Sequence, residues 1–165
     1  MLLIFPMVSF GQLTAGDYLD RGYQKINSRD YYGAVADFSK AIELDPDNAS
    51  LNYDGRGLAK YLLKDYKGSI NDFSKAIELD PNNFRAYGNR GNAKKSSKDY
   101  YGAINDYSKV VESDDADPKL IELTFTMRAI AKSNLGDRNG ACADMRKAAS
   151  LGNEDAAKMV REGCN

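Results

Sequence analysis

The sequence predicts an all-α solenoid of about four helix hairpins followed by a C-terminal capping helix, and three observations lead to this fold class. The nonapeptide FSKAIELDP occurs at residues 38–46 and again at 73–81. Similarity around it recurs along the chain at offsets of 35, 34 and 38 residues, a spacing typical of repeat architectures. Apolar residues within each unit follow at intervals of three and four, which favours amphipathic helices over strands.

The first element, residues 1–11, resembles a signal peptide. Its apolar sequence MLLIFPMVSFG ends in a small-x-small pattern, Ser9 to Gly11, of the kind that precedes a signal-peptidase cut. It has no positively charged start, and Pro6 interrupts a run that is too short to span a bilayer. We expect an exported bacterial protein, periplasmic or secreted, or a cytoplasmic one if the segment is only an N-terminal arm.

Residues 12–152 divide into four units, at about 15–48, 50–83, 84–117 and 118–152. The first half of each unit carries an aromatic residue, an arginine, a small residue and a lysine. These are Tyr18, Arg21, Gly22 and Lys25; Tyr53, Arg56, Gly57 and Lys60; Tyr87, Arg90, Gly91 and Lys94; Phe125, Arg128, Ala129 and Lys132. The second half repeats Asp37-Phe38 as Asp72-Phe73, Asp106-Tyr107 and Asp144-Met145. We expect each unit to be a hairpin of two helices.

The second helices should end at Asp45-Pro46 and Asp80-Pro81, because proline forces its predecessor out of the helical region and has no N–H to donate. Asn48 is expected to cap the helix that follows the first pair, and Asn82 or Asn83 the helix that follows the second.

The glycines at 22, 57 and 91 lie inside predicted first helices, where glycine costs about 1 kcal/mol relative to alanine. Close approach of the second helix over the bare backbone would compensate for this cost. We therefore expect tight packing at these three positions.

Together these residues resemble the tetratricopeptide repeat. In the second unit its slots hold Tyr53, Gly57, Ser69, Phe73, Ala76 and Pro81. The resemblance covers about residues 15–153 and implies a right-handed α-solenoid of TPR-like hairpins whose first helices line a concave groove for a peptide or partner protein. Unit three departs from the pattern with Asp115 in place of proline, and unit four with Ala129 and Met145 in place of glycine and phenylalanine.

Residues 153–165 are expected to form a helix that caps the last unit, with Ala157, Val160 and Cys164 on one face. Cys142 and Cys164 are the only cysteines. The helix from Cys142 runs about 14 Å, and the antiparallel return to Cys164 covers about 16 Å, so both sulfurs should lie at one end. We expect a disulfide, in keeping with export, and the alternative is two reduced buried thiols.

Composition excludes several classes of function. The chain has no histidine, which removes the usual general base, the usual zinc ligand and histidine-activated nucleophiles. Its net charge of -1 gives no electrostatic reason for a nucleic-acid or anionic-membrane partner. The acidic run at 112–117 lacks the glycine turn and final glutamate of an EF-hand, so it is expected to be a solvated connector before a helix that Pro118 opens. We expect no catalysis, cofactor or metal.

Two periodic sets of side chains have both a functional and a structural interpretation. The arginines at 21, 56, 90 and 128 could bind phosphate or carboxylate groups, but every unit also carries an aspartate on its second helix, so ion pairing within the hairpin is favoured. Tyr31, Tyr66 and Tyr100 could stack on bases, but no basic groove lies beside them and packing is favoured.

The resemblance maps the concave groove onto first-helix positions that differ between units. The predicted binding residues are Leu19, Tyr23 and Ile26; Leu58, Tyr61 and Leu62; and Arg85, Asn89, Asn92 and Lys95; Asp54, Thr126, Met127, Ile130 and Asn134 lie on the same face. We expect an extended peptide with apolar side chains in the first half and a carboxylate near Arg85, Asn92 and Lys95. The alternative is that the N-terminal arm covers the apolar residues and that the asparagines only bond neighbouring backbone.

The chaperone-binding members of the family clamp a C-terminal carboxylate with lysine and asparagine of the first unit and asparagine of the second. Leu19, Tyr23 and Gly55 fill these slots here, so that activity is not expected. The sequence instead indicates a non-catalytic protein-interaction module. A self-associating scaffold of the cell envelope is the alternative, and a homo-oligomer is possible.

Overall fold

The structure, a computed structural model, describes residues 12–164, which form nine α-helices and no strand. The predictions for residues 1–11 and for residue 165 lie outside this range. The helices are α1 (Ala15–Asn27), α2 (Tyr31–Leu44), α3 (Ser50–Leu62), α4 (Tyr66–Leu79), α5 (Phe84–Ser96), α6 (Tyr100–Val111), α7 (Pro118–Asn134), α8 (Arg138–Ser150) and α9 (Glu154–Gly163).

The helices pair in chain order as four hairpins, α1 with α2, α3 with α4, α5 with α6 and α7 with α8, and α9 packs on α8. Each hairpin also contacts the next, and the first helices contact one another, α1 with α3, α3 with α5 and α5 with α7. The first helices therefore form the inner row, and we call the side they expose the concave face. The predicted all-α hairpin solenoid is confirmed. None of the described helices has the length and apolar character needed to cross a bilayer.

The second helices all begin in the same way. Asp30, Asp65, Asp99 and Asp137 each precede one of them, and each carboxylate accepts a hydrogen bond from the backbone N–H of a glycine three residues later. The residue before that aspartate has positive φ in every hairpin: Arg29 (64°), Lys64 (63°), Lys98 (68°) and Gly136 (81°). The turn is thus identical in shape, although only the fourth hairpin uses glycine.

One cap and one start of the first helices agree with the predictions, and one cap does not. Asn83 caps α5, and α7 begins at Pro118 with Asp117 as its cap. The prediction for Asn48 is wrong: α3 begins after Ala49 without a side-chain cap. The side-chain amide of Asn48 instead donates to the Asp45 carboxylate, because both lie in the same tight turn.

The predicted close approach at the mid-helix glycines is present. A Cβ atom built on Gly22 would lie 2.8 Å from the Phe38 ring, and one on Gly91 would lie 2.6 Å from the Tyr107 ring. The ring of the second helix thus rests directly on the backbone of the first. In the fourth hairpin the pair becomes Ala129 and Met145, where a flexible side chain leaves room for the methyl group.

The periodic arginines are structural, as predicted. Each binds the buried aspartate of its own hairpin through two hydrogen bonds, as Arg56 does with Asp72 at 2.8 and 2.9 Å. The first-helix lysine, here Lys60, binds the same carboxylate at 2.7 Å. Three of the arginines also donate to a serine hydroxyl of the preceding hairpin: Arg56 to Ser39, Arg90 to Ser74 and Arg128 to Ser108.

The capping helix α9 closes the end of the fourth hairpin. Cys142 and Cys164 form the predicted disulfide, with a Cα–Cα distance of 5.5 Å. The face that packs inward differs by one residue from the prediction: Ala156 is fully buried, whereas Ala157 is only partly buried. Asn153, which caps α9, also donates to the Glu122 carboxylate and so fixes the angle at which the helix enters.

Candidate functional site

The α1 end of the concave face belongs largely to the core. Leu19, Tyr23 and Ile26 are partly buried and pack against a cluster that includes Phe38 and Ala59. The Tyr23 ring meets Phe38 edge-on, with 5.2 Å between centroids. The main role of these three predicted binding residues is therefore in the core, where they pack against side chains of the second helix and of the next hairpin.

Asp54 is a buried carboxylate at the centre of the concave face. Only 1% of it is exposed, and it accepts hydrogen bonds from Arg85 Nε at 2.8 Å and from Asn89 Nδ2 at 3.1 Å. Arg85 also donates to the Tyr23 hydroxyl at 3.0 Å, so the network joins the first helices of three hairpins. Burial raises the pKa of the Asp54 carboxyl despite its two donors. Arg85, which was predicted to bind a ligand carboxylate, and Asn89, another predicted groove residue, are thus held by a carboxylate within the chain.

Asn92 and Tyr61 hydrogen-bond neighbouring side chains. The Tyr107 hydroxyl of α6 donates to Asn92 Oδ1 at 2.8 Å, and the hydroxyls of Tyr61 and Ser96 lie 3.3 Å apart. The alternative that the asparagines bond only backbone is therefore wrong for Asn92 and for Asn89. These contacts hold α3, α5 and α6 together beside the groove.

Lys95 differs from its neighbours because it has no carboxylate partner in the described chain. It is partly buried on α5, and its Nζ lies 3.3 Å from the sulfur of Met127 on α7. Burial lowers the pKa of this ammonium, and no nearby charge opposes that shift. Among residues 12–164, the concave face therefore offers one cation that the fold itself does not neutralise.

Apolar side chains are also present on α3 and α7, the first helices on either side of α5. Leu62 of α3 is 37% exposed and Ile130 of α7 is 39% exposed, while Leu58 and Met127 are partly buried. Asn134 donates to the backbone carbonyl of Ile130. We call this surface the α3–α7 groove; its two walls are the apolar side chains of α3 and of α7, and Lys95 belongs to α5, the helix between them. Within residues 12–164 no cluster of three or more histidine, cysteine, aspartate or glutamate side chains is arranged to hold a metal ion.

Comparison with known proteins agrees with this architecture. A family model described as "TPR repeat" matches residues 57–97, and one described as "Tetratricopeptide repeat" matches residues 18–48 and 84–117. Together these matches span more than half of the chain. The chain is a tetratricopeptide repeat (TPR) protein. The TPR fold is typical of non-catalytic interaction scaffolds, and the chain is a protein-interaction module. No curated protein matches it by sequence.

Several solved TPR structures share the fold. PilF of Pseudomonas aeruginosa superposes with a TM-score of 0.80 at 17% identity, over 90% of this chain and 66% of that one. MamA of Desulfovibrio magneticus gives 0.73 at 22%, over 83% and 75%. The N-terminal domain of stress-induced protein-1 from C. elegans gives 0.66 at 27%, over 70% and 94%.

The TPR array also carries a cleft that sequence reasoning missed. It lies between α7, α8 and α9, has a volume of about 460 Å³, and is lined by Ile130, Met145, Met159 and the disulfide. Its shape depends on the angle of α9, which no repeat pattern encodes. The Asp54 network was missed for a related reason, although a lone acidic residue on the same predicted face of α3 as Leu58, Tyr61 and Leu62 was a usable signal.

Proposed function

We propose that this TPR protein binds an extended segment of a partner protein in the α3–α7 groove and has no catalytic role. The main support for this proposal is the contrast between the two sides of each first helix. Residues that face the second helix recur in every unit and satisfy one another, whereas groove residues change from unit to unit. Partly exposed apolar side chains remain there, with Leu62 and Ile130 the most open.

Such a surface suits a peptide better than a small molecule. An extended chain places alternate side chains on one side, and the row of first helices offers a continuous track for them. The first TPR of Spaghetti (RPAP3) was solved bound to the HSP90 peptide SRMEEVD, and it shares the fold with this chain at 20% identity. That structure supports a peptide as the class of ligand without indicating which peptide binds here.

Peptide selection tests the proposal. A random peptide library displayed on phage is panned on the purified protein, and the recovered peptides are measured by fluorescence anisotropy. We expect Leu62→Glu and Ile130→Glu to weaken binding at least about tenfold, because each puts a charge in an apolar wall. Tyr101→Glu changes a residue of α6 that is 74% exposed and serves as the control.

Two outcomes would contradict the proposal. Equal loss of binding in the Tyr101→Glu control would place the peptides on the outer surface. A concentration-dependent mass in light scattering, abolished by the groove variants, would instead support a self-associating scaffold.

We also propose that the protein is exported. The support is the Cys142–Cys164 disulfide, since such bonds persist in oxidising compartments and are rare in the cytosol. N-terminal sequencing of the protein from cell fractions tests this proposal. A mature chain that begins at Gln12 in the periplasm or medium is expected, and retention of Met1 in the cytoplasm would contradict it.

A further inference from the structure

Lys95 is an exception among the lysines of this chain. The other partly buried lysines of the described residues each bind a carboxylate; they are Lys25, Lys60, Lys75, Lys94 and Lys132. Lys95 is also partly buried, yet within residues 12–164 the one partner of its ammonium is the thioether of Met127, a weak acceptor. An ammonium withdrawn from water without a counter-charge destabilises the folded protein.

In the described part of the chain, Arg85 is the other cation of the concave face, and it is not free to replace Lys95. Arg85 is paired with Asp54 and bonded to Tyr23, and Asn89 is held by the same carboxylate. A ligand anion that approached Arg85 would meet the Asp54 charge directly behind it. The unsatisfied positive charge of the groove is therefore concentrated at Lys95, one residue before the end of α5.

We propose that Lys95 binds the side-chain carboxylate of an acidic residue in the middle of the bound segment, an inference that rests on the proposed function. The acidic residue would have apolar residues on both sides of it in the partner. These would contact Leu62 on the α3 wall and Ile130 on the α7 wall. Asn92, three residues before Lys95 on the same face of α5, is placed to contact the same carboxylate.

The position of Lys95 favours an internal acidic side chain over a chain terminus. Exposed apolar side chains lie on the helices on both sides of α5, Leu62 on α3 and Ile130 on α7, so the groove accommodates a chain that passes through. A terminal carboxylate would leave one wall empty. Charge complementarity and the two walls together predict an apolar–acidic–apolar pattern in the bound peptide. A groove with several unpaired cations would select several acidic residues, whereas this one should select a single acidic residue.

Two substitutions of the full chain and a matched control test this inference with the same phage library. We expect the wild type to enrich peptides with one aspartate or glutamate between apolar residues. Lys95→Met retains the length of the side chain without its charge, so it should still retain apolar peptides but lose the acidic preference. Lys95→Glu should select lysine or arginine at that position. Lys109→Met, an exposed residue of α6, should leave the acidic preference unchanged.

Synthetic peptides with a blocked N-terminus and an amidated C-terminus give the quantitative measurement. Replacing the selected acidic residue by its amide should weaken binding to the wild type at least about tenfold, and should change binding to Lys95→Met less than about twofold. Thermal unfolding of Lys95→Met should show no loss of stability, since the variant removes an unpaired buried charge.

The outcomes separate this inference from the proposed function. Groove-dependent peptides without an acidic preference, or with one that survives in Lys95→Met, would overturn the role of Lys95 and leave the groove intact. Enrichment of peptides through a free C-terminal carboxylate would overturn the internal acidic residue. If the wild type retained no peptide, the proposed function would fail, and this inference with it.

Discussion

Gly91 and Tyr107 fix the distance between paired helices in the third hairpin. The ring lies against the backbone of α5, where a methyl group at Gly91 would be 2.6 Å from Tyr107 Cε1. One turn earlier on the same helix, a methyl group at Gly88 would meet only Leu120 at 3.9 Å, an ordinary contact. Gly91 is therefore required for the close packing of the two helices, whereas Gly88 is not.

The pair gives a matched prediction. Gly91→Ala should destabilise the fold by about 1–3 kcal/mol, because the tyrosine ring must move in a packed core. Gly88→Ala should stabilise it by up to about 1 kcal/mol, because alanine is the better helix former and finds space. Urea denaturation followed by circular dichroism measures both. Equal effects of the same sign would refute the close-approach explanation.

The left-handed turn residues support a second prediction. Lys64 has a φ of 63°, a conformation that costs an L-residue about 1 kcal/mol and glycine almost nothing. Lys64→Gly should therefore raise the free energy of unfolding by about 0.5–1 kcal/mol, as the natural Gly136 suggests. Lys109→Gly, in helix α6, should lower it by a similar amount. A loss of stability at Lys64 would show that its side chain has a role beyond the turn.

At the scale of elements, α9 depends on the disulfide more than on its own apolar face. Ala156 is its single buried residue, and Cys164 ties its end to α8. Asn153 secures its start through Glu122. A helix of ten residues with so little buried surface is marginal without such ties.

Removal of the bond should release α9 first. The cysteines are separated by 22 residues, a loop for which a cross-link contributes about 3 kcal/mol by chain entropy. The Cys142→Ser, Cys164→Ser variant should therefore melt at a lower temperature than the oxidised protein. Hydrogen exchange should accelerate in Glu154–Gly163 and not in α3 or α4. Uniform acceleration across all hairpins would mean that the bond stabilises the array as a whole.

At the scale of the whole molecule, the Asp54 network joins three hairpins and makes stability depend on pH. Because burial raises the pKa of Asp54 above its unfolded value, the folded state holds the proton more tightly than the unfolded state does. Its contribution to stability is greatest below the unfolded pKa, near pH 4, and is lost as the pH rises through the folded pKa. The contribution of Asp37 to stability changes with pH in the opposite direction, because its hydrogen bond with Arg21 lowers the pKa of its carboxyl.

Comparison with Asp54→Asn isolates this contribution. Between about pH 4 and pH 7, the free energy of unfolding of the wild type should fall relative to that of the variant. Denaturant titrations at several pH values measure the difference, and the other carboxylates cancel because both proteins carry them. If the wild type instead became more stable relative to the variant as the pH rises, the hydrogen bonds from Arg85 and Asn89 would lower the pKa of Asp54 by more than burial raises it.

Most of the features that the sequence predicted recur from unit to unit, and most of those that it missed occur only once. Hairpins, ring-on-glycine packing and Arg–Asp pairs were visible because each appears as self-similarity at a fixed period. The bonds from Arg85 to Asp54 and to Tyr23 join residues 31 and 62 positions apart with no second copy to reveal them. The Asn48 cap failed because a side-chain partner in the turn competed with the helix end.

The reach of Arg56, Arg90 and Arg128 to a serine of the preceding hairpin has a consequence for how such an array grows. A unit that carries both residues has the serine that accepts from the next unit and the arginine that donates to the preceding one. A duplicated copy of such a unit can therefore form the same hydrogen bond with the original, and no new pair of residues is needed. This explains why the serine lies within the nonapeptide that occurs twice without change.

The fourth unit interrupts this rule. Its position equivalent to the serine holds Arg146, whose guanidinium donates to the backbone oxygen of Cys164. That side chain cannot accept the arginine of a further hairpin, and it fastens α9 instead. Arg146 therefore binds α9 at the position where a serine would accept the arginine of a further hairpin. A design that adds a fifth hairpin should begin by replacing Arg146 with serine.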